Sequence, residues 1–483
     1  MGEFRTRFAP SPTGHMHVGN LRTALYAYLL AKSNGGSFIL RIEDTDQERL
    51  VDGAMDVIYN TLRETNLLWD EGPDIGGKFG PYVQSERFAL YKKYSEHLIE
   101  SGHAYYCFCD RERLDEIRLL RKSAGGVAKY DGYCRDLSAR QVAEKLGSGI
   151  PYVIRQKMPE TGQTTFADEV FGLVTVENDT LDDQILIKAD GMPTYNFANV
   201  VDDHLMQITH VIRGSEYLSS TPKYNLLYDA FGWEIPKYIH CSPVMRNSHE
   251  KLSKRRGDAS FEDLVAQGYL KEAILNYIAL LGWSPKSEQE IFSLENLKQE
   301  FSISGISKSP AIFDIKKLNF INSHYIKSLK PDEFYAKGLP FIRMSVKNEE
   351  VDTKLIASLL QTRTEFLGDI PAQVDFIDEL PDYDCELFVS KKMKTSRESS
   401  REILTNVLPL FQATKDYSVQ GLHDMLMAYI TGHELKNGFV LWPIRVALSG
   451  KEFTPGGAIE IASILGKEEG IKRIQMGIKM LSS

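Results

Sequence analysis

Cysteine is scarce: five thiols in 483 residues cannot supply the disulfide framework of a small secreted module. Long apolar runs are missing too. The longest nearly apolar stretch, Ala273 to Trp283, is interrupted by Asn276 and falls far short of the roughly 18 to 20 residues that span a bilayer. The opening Met-Gly-Glu-Phe-Arg-Thr has no apolar core of a secretory leader, although Gly2 and Thr6 match the loose myristoylation pattern. These absences point to a cytoplasmic protein with no membrane partner. A surplus of positive charge is also lacking. Lys and Arg number 57 against 66 Asp and Glu, a net charge of −9, which excludes a globally basic nucleic-acid coat. Glycine (36) and proline (19) hold an ordinary share beside 42% hydrophobic residues, so collagen-like, low-complexity and disordered classes fall away.

What is present suits a globular chain of about three folding units, at about 150 residues each. From Glu3 to Phe8, Phe4, Thr6 and Phe8 alternate with charged residues, a period-two strand that Pro10, Pro12 and Gly14 stop. Leu21, Ala24, Leu25, Tyr28 and Leu29 then recur at helical spacing until Asn34-Gly-Gly, and Phe38 to Ile42 reads as a second strand. Strand, helix and strand in that order build a doubly wound parallel sheet, whose ligand edge is the C-terminal one. From Cys107 to Lys188 the pattern changes. A charged helical stretch, Asp110 to Lys122, a Gly-rich turn and strand-like pieces Tyr152 to Lys157 and Phe171 to Val176 suggest an inserted domain. The parallel pattern resumes with a helix near Pro193 to His204 and strands Ile208 to Ile212 and Tyr238 to His240. Beyond Asp258 only helices are expected, punctuated by Pro285, Pro310, Pro331 and Pro381.

Two stretches carry phosphate chemistry. The turn from Pro10 to Asn20 lies between the first strand and the first helix, where free backbone N–H groups and the positive helix end attract phosphate. Within it Gly19 admits a flat base or ribose close to the backbone, and His17 can donate to a phosphoryl oxygen. Far downstream, Lys251-Leu-Ser-Lys254-Arg255 puts two ammonium groups on one short segment that can neutralise a triphosphate. Each alone is equally a tight surface turn or a basic loop. Basic residues cluster at Arg246, Lys251, Lys254, Arg255 and Arg256, and again at Lys391, Lys392, Lys394, Arg397 and Arg401, either as solvated helix faces or as polyanion sites.

Read jointly, a His-x-Gly turn, a split parallel sheet and a late Lys-x-x-Lys loop describe a class I aminoacyl-tRNA synthetase. More narrowly, Arg7-Phe-Ala-Pro-Ser-Pro-Thr-Gly14, His17-Val-Gly-Asn20, Arg41-Ile-Glu43-Asp-Thr-Asp46, Pro193 to His204, Ile212-Arg213-Gly-Ser-Glu216 and Lys251 to Arg255 together resemble the bacterial-type glutamyl-tRNA synthetases. Pro443 to Gly450 and Thr454-Pro455 resemble that family's helical anticodon-binding end. The resemblance implies a multidomain α/β then all-α protein. A split Rossmann-like nucleotide-binding domain (1–106 and 190–245) would carry an inserted connective, acceptor-end-binding domain (107–189). A stem-contact domain with the lysine loop (246–325) and a helical anticodon-binding domain (326–483) would follow. It also implies a monomer that joins L-glutamate to the 3′ end of tRNA(Glu) through a glutamyl-adenylate, with ATP as substrate carrying Mg²⁺, and with tRNA bound before activation is efficient. Whether tRNA(Gln) is charged as well depends on how the third anticodon base is read.

In the family that the chain resembles, the positions of Arg7, Ala9, Ser11, Glu43, Tyr195, Asn199 and Arg213 line the glutamate site, with Glu43 on the α-amino group. The chemistry agrees, since two carboxylates call for two guanidinium forks, and Arg7 and Arg213 fit them. Which arginine takes which carboxylate stays open. For ATP the expected contacts are His17, Gly19, Asn20, Glu216 and Lys254, and His17, Lys251 and Lys254 are expected to act on the phosphates. Asp44 and Asp46 serve equally as helix caps. Cys107-x-Cys109 and Cys134-x-Asp136, 24 residues apart, make a zinc cage or a set of reduced thiols, and Asp136 stands where the family often has His. Cys241 and Cys385 read as structural. Two alternatives remain: glutamyl transfer to a modified tRNA base, whose enzymes lack the helical C-terminal half, and a non-catalytic tRNA-binding paralogue, which would lose the ATP residues.

Overall fold

The structure is a computed structural model that describes residues 3–123, 129–252 and 260–482. Gly2 of the myristoylation pattern lies outside the described residues. Two compact units divide the chain, Met1–Leu264 with Ile274–Asp314, and Val265–Ala273 with Ile315–Ser483.

In the first unit β1 (Arg5–Phe8) runs into the Pro-rich turn, α1 (Val18–Ser33) follows, and β2 (Ser37–Leu40) returns parallel to β1 in the register Arg5 to Ser37. All four residues of β1 are buried, charged and apolar alike, because both faces of a parallel strand are covered. Leu21, Ala24, Leu25, Tyr28 and Leu29 are buried in α1 as their spacing predicts, but Arg22, Tyr26, Ala27, Leu30 and Ala31 are buried too, so the helix is covered on nearly every side rather than on one face. After α2 (Ala54–Glu64) and α3 (Phe88–Glu100), β3 (Ala104–Cys107) enters the middle segment, which continues with α4 (Arg111–Ser123), α5 (Ala139–Gly147) and β4 (Val153–Gln156). It ends with the hairpin of β5 (Gln163–Asp168) and β6 (Gly172–Glu177), then β7 (Ile185–Ile187). The nucleotide-type pattern returns in α6 (Tyr195–Leu205), β8 (His210–Gly214), α7 (Thr221–Phe231), β9 (Lys237–Cys241) and the two-residue β10 (Val244–Met245). Three helices follow: α8 (Phe261–Ala266), α9 (Lys271–Leu280) and α10 (Leu294–Glu300). β11 (Ala311–Ile312) pairs parallel with β10.

The strands run in the order β2, β1, β8, β9, β5, β6. β8 and β9 pair in parallel, and the Arg5 carbonyl accepts from Thr209 N at 3.0 Å, which lays β1 alongside β8. One result departs from the expected inserted domain. β3, β4 and β7 form an antiparallel sheet of their own, but β5 joins β9 in parallel at Asp168 and Tyr238, so the middle segment extends the main sheet. β5 escapes a hydrophobic reading because two of its three inward residues, Thr164 and Asp168, are polar. β11 is likewise a strand where only helices were expected; two residues are too short for any periodicity to show.

The second unit is helical, in keeping with the sequence pattern: α11 (Ile315–Ser328), α12 (Pro331–Ser345), α13 (Thr353–Leu360), α14 (Ile370–Val374), α15 (Arg397–Ala413), α16 (Val419–Gly432), α17 (Asn437–Ser449) and α18 (Ala458–Met480). Pro331 opens α12 at the position where a missing N–H costs nothing. Arg473 on α18 is fully buried and donates to the carbonyls of Phe376 (2.7 Å), Leu448 (2.8 Å) and Ile377 (3.0 Å), tying three chain segments together. Among the described residues no helix is long and apolar enough to cross a membrane.

Candidate active site

The turn after β1 is shaped by Gly14, whose φ of +107° a residue with a side chain rarely adopts. His17 caps α1: its Nδ1 accepts from Gly19 N at 3.0 Å, so the proton of the neutral ring sits on Nε2. A Cβ at residue 19 would lie 3.2 Å from that Nδ1, so glycine there protects the cap as well as an approach to the backbone. The C-terminal described flank of the basic loop meets this turn, where His17 bridges Ser260. Phe261 N donates to Met16 O at 3.0 Å, and the Glu262 carboxylate accepts from Met16 N at 3.1 Å and from Thr61 Oγ1 at 2.7 Å. On the other flank Lys251 pairs with Met245. Lys254, Arg255 and Arg256 lie outside the described residues.

A cavity of about 670 Å³ opens where β1, β8 and β9 end, within the size of small-molecule sites. Its lining brings together Arg7, Ala9, Ser11, His17, Gly19, Asn20, Glu43, Tyr195, Arg213, Glu216 and Lys251, residues scattered over 245 positions of sequence. Asn199 is the exception. It is 2% exposed, is not part of the lining, and its Nδ2 donates to Tyr195 O at 2.7 Å one turn behind the ring.

Three arginines are buried here, and each is charged in a different company. Arg7 donates through Nε (3.0 Å) and Nη2 (3.4 Å) to Asp203 and through Nη1 to Ile212 O (3.2 Å). Arg41 reaches the same Asp203 Oδ1 at 2.8 Å and Glu43 Oε1 at 3.1 Å. Burial alone would raise Asp203, but Arg7 and Arg41 outweigh it and hold the carboxylate below its usual range. Glu43 goes the other way: burial pushes it up to about 7 against the pull of Arg41 and Arg7, leaving it receptive to an ammonium group. Arg213, 5% exposed, donates from Nε to His240 Nε2 at 3.0 Å and from Nη2 to Thr221 Oγ1 at 2.9 Å. Arg41, Asp203, His240 and Asp168 were not read as site residues. The only signal for Asp203 was indirect, since two arginines folded into one sheet edge demand a buried anion.

Comparison with known proteins decides what this cavity belongs to. Residues 3–320 match the model for the catalytic domain of class I tRNA synthetases (E and Q), and residues 333–478 match an anticodon binding domain. The glutamate--tRNA ligase of Clostridium tetani is 60% identical over 481 residues, 100% of this chain and 98% of that one. The chain belongs to the glutamate–tRNA ligases. A second relative of that name, from Clostridium acetobutylicum, is 57% identical and covers 99% of each chain. A crystal structure of a glutamate tRNA ligase from Elizabethkingia meningosepticum in complex with its amino acid superposes with TM-score 0.87 at 34% identity, over 99% of this chain and 100% of that one. That of Elizabethkingia anophelis superposes with TM-score 0.88.

In this ligase the Cys107, Cys109 and Cys134 sulfurs lie within 4.8 Å of one another, and all five cysteines are free thiols. The 3.6 Å between Cys109 and Cys134 Sγ is near the roughly 3.8 Å edge of a tetrahedron with zinc–sulfur bonds of about 2.3 Å. Asp136, the fourth ligand expected from sequence, does not join the sulfurs here. It is exposed and outside the group, and the space beside the sulfurs is taken by the Tyr130 hydroxyl, 3.4 Å from Cys107 and 3.3 Å from Cys109 Sγ. That hydroxyl also accepts from Cys134 N at 3.0 Å. The hydrogen bond from Cys134 lowers the Cys107 thiol pKa against the effect of burial, so the cluster favours a thiolate, as a zinc donor set requires.

Proposed function

We propose that the chain attaches L-glutamate to the 3′ end of tRNA(Glu) through a glutamyl-adenylate, releasing AMP and diphosphate. The observation that carries this reading is the single cavity that joins the His17 turn and Lys251 to buried Arg7, Glu43 and Arg213. One part suits a triphosphate and the other an amino acid with two carboxylates. The α-carboxylate of glutamate attacks the α-phosphorus of MgATP in line, and diphosphate leaves. His17, with its proton on Nε2, donates to the phosphoryl oxygens as charge builds on them, and Lys251 and Lys254 balance the departing diphosphate. Magnesium on the triphosphate supplies further charge neutralisation. The terminal adenosine hydroxyl of tRNA then attacks the mixed anhydride and releases AMP. Glu43 receives the α-ammonium of glutamate, Tyr195 closes the pocket wall, and Asn199 holds Tyr195 from behind.

Residues 107–189 are proposed to bind the acceptor end and 246–325 the tRNA stem. Residues 326–483 are proposed to read the anticodon, in keeping with the match over 333–478. That match weighs against transfer to a modified base, and the filled complement of cavity residues weighs against a non-catalytic paralogue. Cys107, Cys109 and Cys134 would hold zinc as a structural pin, with Tyr130 completing the set. The protein is proposed to act as a monomer in the cytoplasm, where its substrates meet. Aminoacylation of purified tRNA(Glu) and tRNA(Gln) with labelled glutamate tests the reading. Charging of tRNA(Glu) supports it, charging of both adds tRNA(Gln) to the acceptors, and charging of neither by folded protein refutes it.

A further inference from the structure

We propose that Asp168 and His240 are positioning residues that fix the Arg213 guanidinium with its outer nitrogens toward the cavity, and so set recognition of the substrate carboxylate. This rests on reading the cavity as the glutamate site. Neither residue lines the cavity; both act through Arg213.

The geometry is a chain of three buried groups. Arg213 Nε donates to His240 Nε2 at 3.0 Å, which requires a lone pair on that nitrogen. The imidazole is therefore neutral with its proton on Nδ1, and Nδ1 donates to Asp168 Oδ2 at 2.6 Å. Asp168 cannot turn away. Its Oδ2 also accepts from His240 N at 3.1 Å, and its Oδ1 from Val170 N (2.9 Å) and Phe171 N (2.7 Å). The side chains of His240 and Asp168 are wholly buried. On its other side Arg213 is held by Thr221 Oγ1 and flanked by the rings of Tyr217, Tyr224 and Tyr238, with centroids 5.4, 4.6 and 5.1 Å away.

The contrast with Arg7 gives the arrangement its meaning. Arg7 spends three of its five N–H donors and is neutralised directly by Asp203. Arg213 spends two, and among the described residues no carboxylate pairs with it. Its negative counterpart, Asp168, is one neutral imidazole away. A buried guanidinium so held keeps its outer fork and its charge for an incoming carboxylate, and a neutral amide satisfies it poorly. The device lies in β5 and β9, which explains why the hairpin from the middle segment must be paired to the main sheet at Asp168 and Tyr238.

Aminoacylation kinetics on the full-length enzyme, with glutamate and ATP varied separately, test the proposal. His240→Leu removes the acceptor. Asp168→Asn sets an amide N–H₂ against the donors His240 N and Nδ1–H, driving the ring proton to Nε2, where it opposes Arg213. Both are expected to raise the glutamate KM by about tenfold or more, with the ATP KM unchanged. His240→Gln, whose Oε1 can accept from Arg213 Nε, should stay within about threefold of wild type. Nitrogen-15 spectra of the wild type, with His240 assigned by its loss in His240→Gln, should show Nε2 as an unprotonated acceptor whether or not the other variants fold. Glutamate KM unchanged in His240→Leu, equal rises in the Leu and Gln variants, or a protonated Nε2 overturns the relay. A wild type that uses no glutamate overturns the reading of the site instead.

Discussion

At the scale of the residue, Glu43 makes the sharpest statement. Burial holds its folded-state pKa at about 7, above the roughly 4.3 of an exposed glutamate. A raised carboxylate pKa means that the proton favours the folded state. Its stabilisation is complete below about pH 4 and is lost as pH rises through 7. Comparing thermal denaturation of Glu43→Gln with wild type from pH 4 to 8, without substrate, should show the variant gaining relative stability with pH, by up to about 3 kcal/mol. The same variant should lose affinity for glutamate, because the amide cannot neutralise the α-ammonium. A flat difference curve would mean that the carboxylate is paired well enough to be ionised throughout. For the phosphate end, Lys254→Ala is expected to cut turnover by roughly 10² to 10³, the scale of one preorganised charge stabiliser. Single-turnover adenylate formation measures this directly, and an unchanged rate removes Lys254 from the chemistry.

At the scale of the element, α1 joins fold to function because its N-cap, His17, is also the proposed phosphate donor. Gly19→Ala would press a Cβ to 3.2 Å from His17 Nδ1 and displace the cap. The expected loss is about 1 kcal/mol of stability, read by denaturant titration, with a larger rise in the ATP KM. The extent of this element was legible in sequence, since the apolar spacing from Leu21 to Leu29 and the Asn-Gly-Gly stop fall where α1 runs and ends, whereas its burial on nearly every side was not. The sheet edge was legible in part, because strand and turn order places Arg7 and Arg213 at the C-terminal ends of their strands, while the adjacency of those strands came only with the structure. What escaped was polar and long-range. β5 hides its inward face behind Thr164 and Asp168, and no sequence pattern pairs Arg7 with Asp203 or Arg5 with Glu71. Periodicity reports apolar burial, so a core built from ion pairs and a histidine relay leaves no periodic trace.

At the scale of the whole molecule, the proposed zinc on the three thiols would pin the part of the middle segment where α4 and α5 bury few residues of their own. Metal analysis of the purified protein should find about one zinc per chain, and removing it with a chelator should lower the melting temperature. Cys109→Ser should lose the metal, whereas Asp136→Ala should keep it, since Asp136 stands outside the cluster. Loss of zinc in the Asp136 variant would restore the carboxylate as the fourth ligand.

The claim on which the rest depends is that one cavity, assembled from the His17 turn, Lys251 and a rim of buried arginines, activates glutamate with ATP. ATP–diphosphate exchange in the presence of tRNA(Glu), run with glutamate and separately with glutamine, tests it most directly. Exchange should depend on glutamate and fall to background with glutamine. Exchange that is absent with folded protein, or equal for the two amino acids, would contradict it.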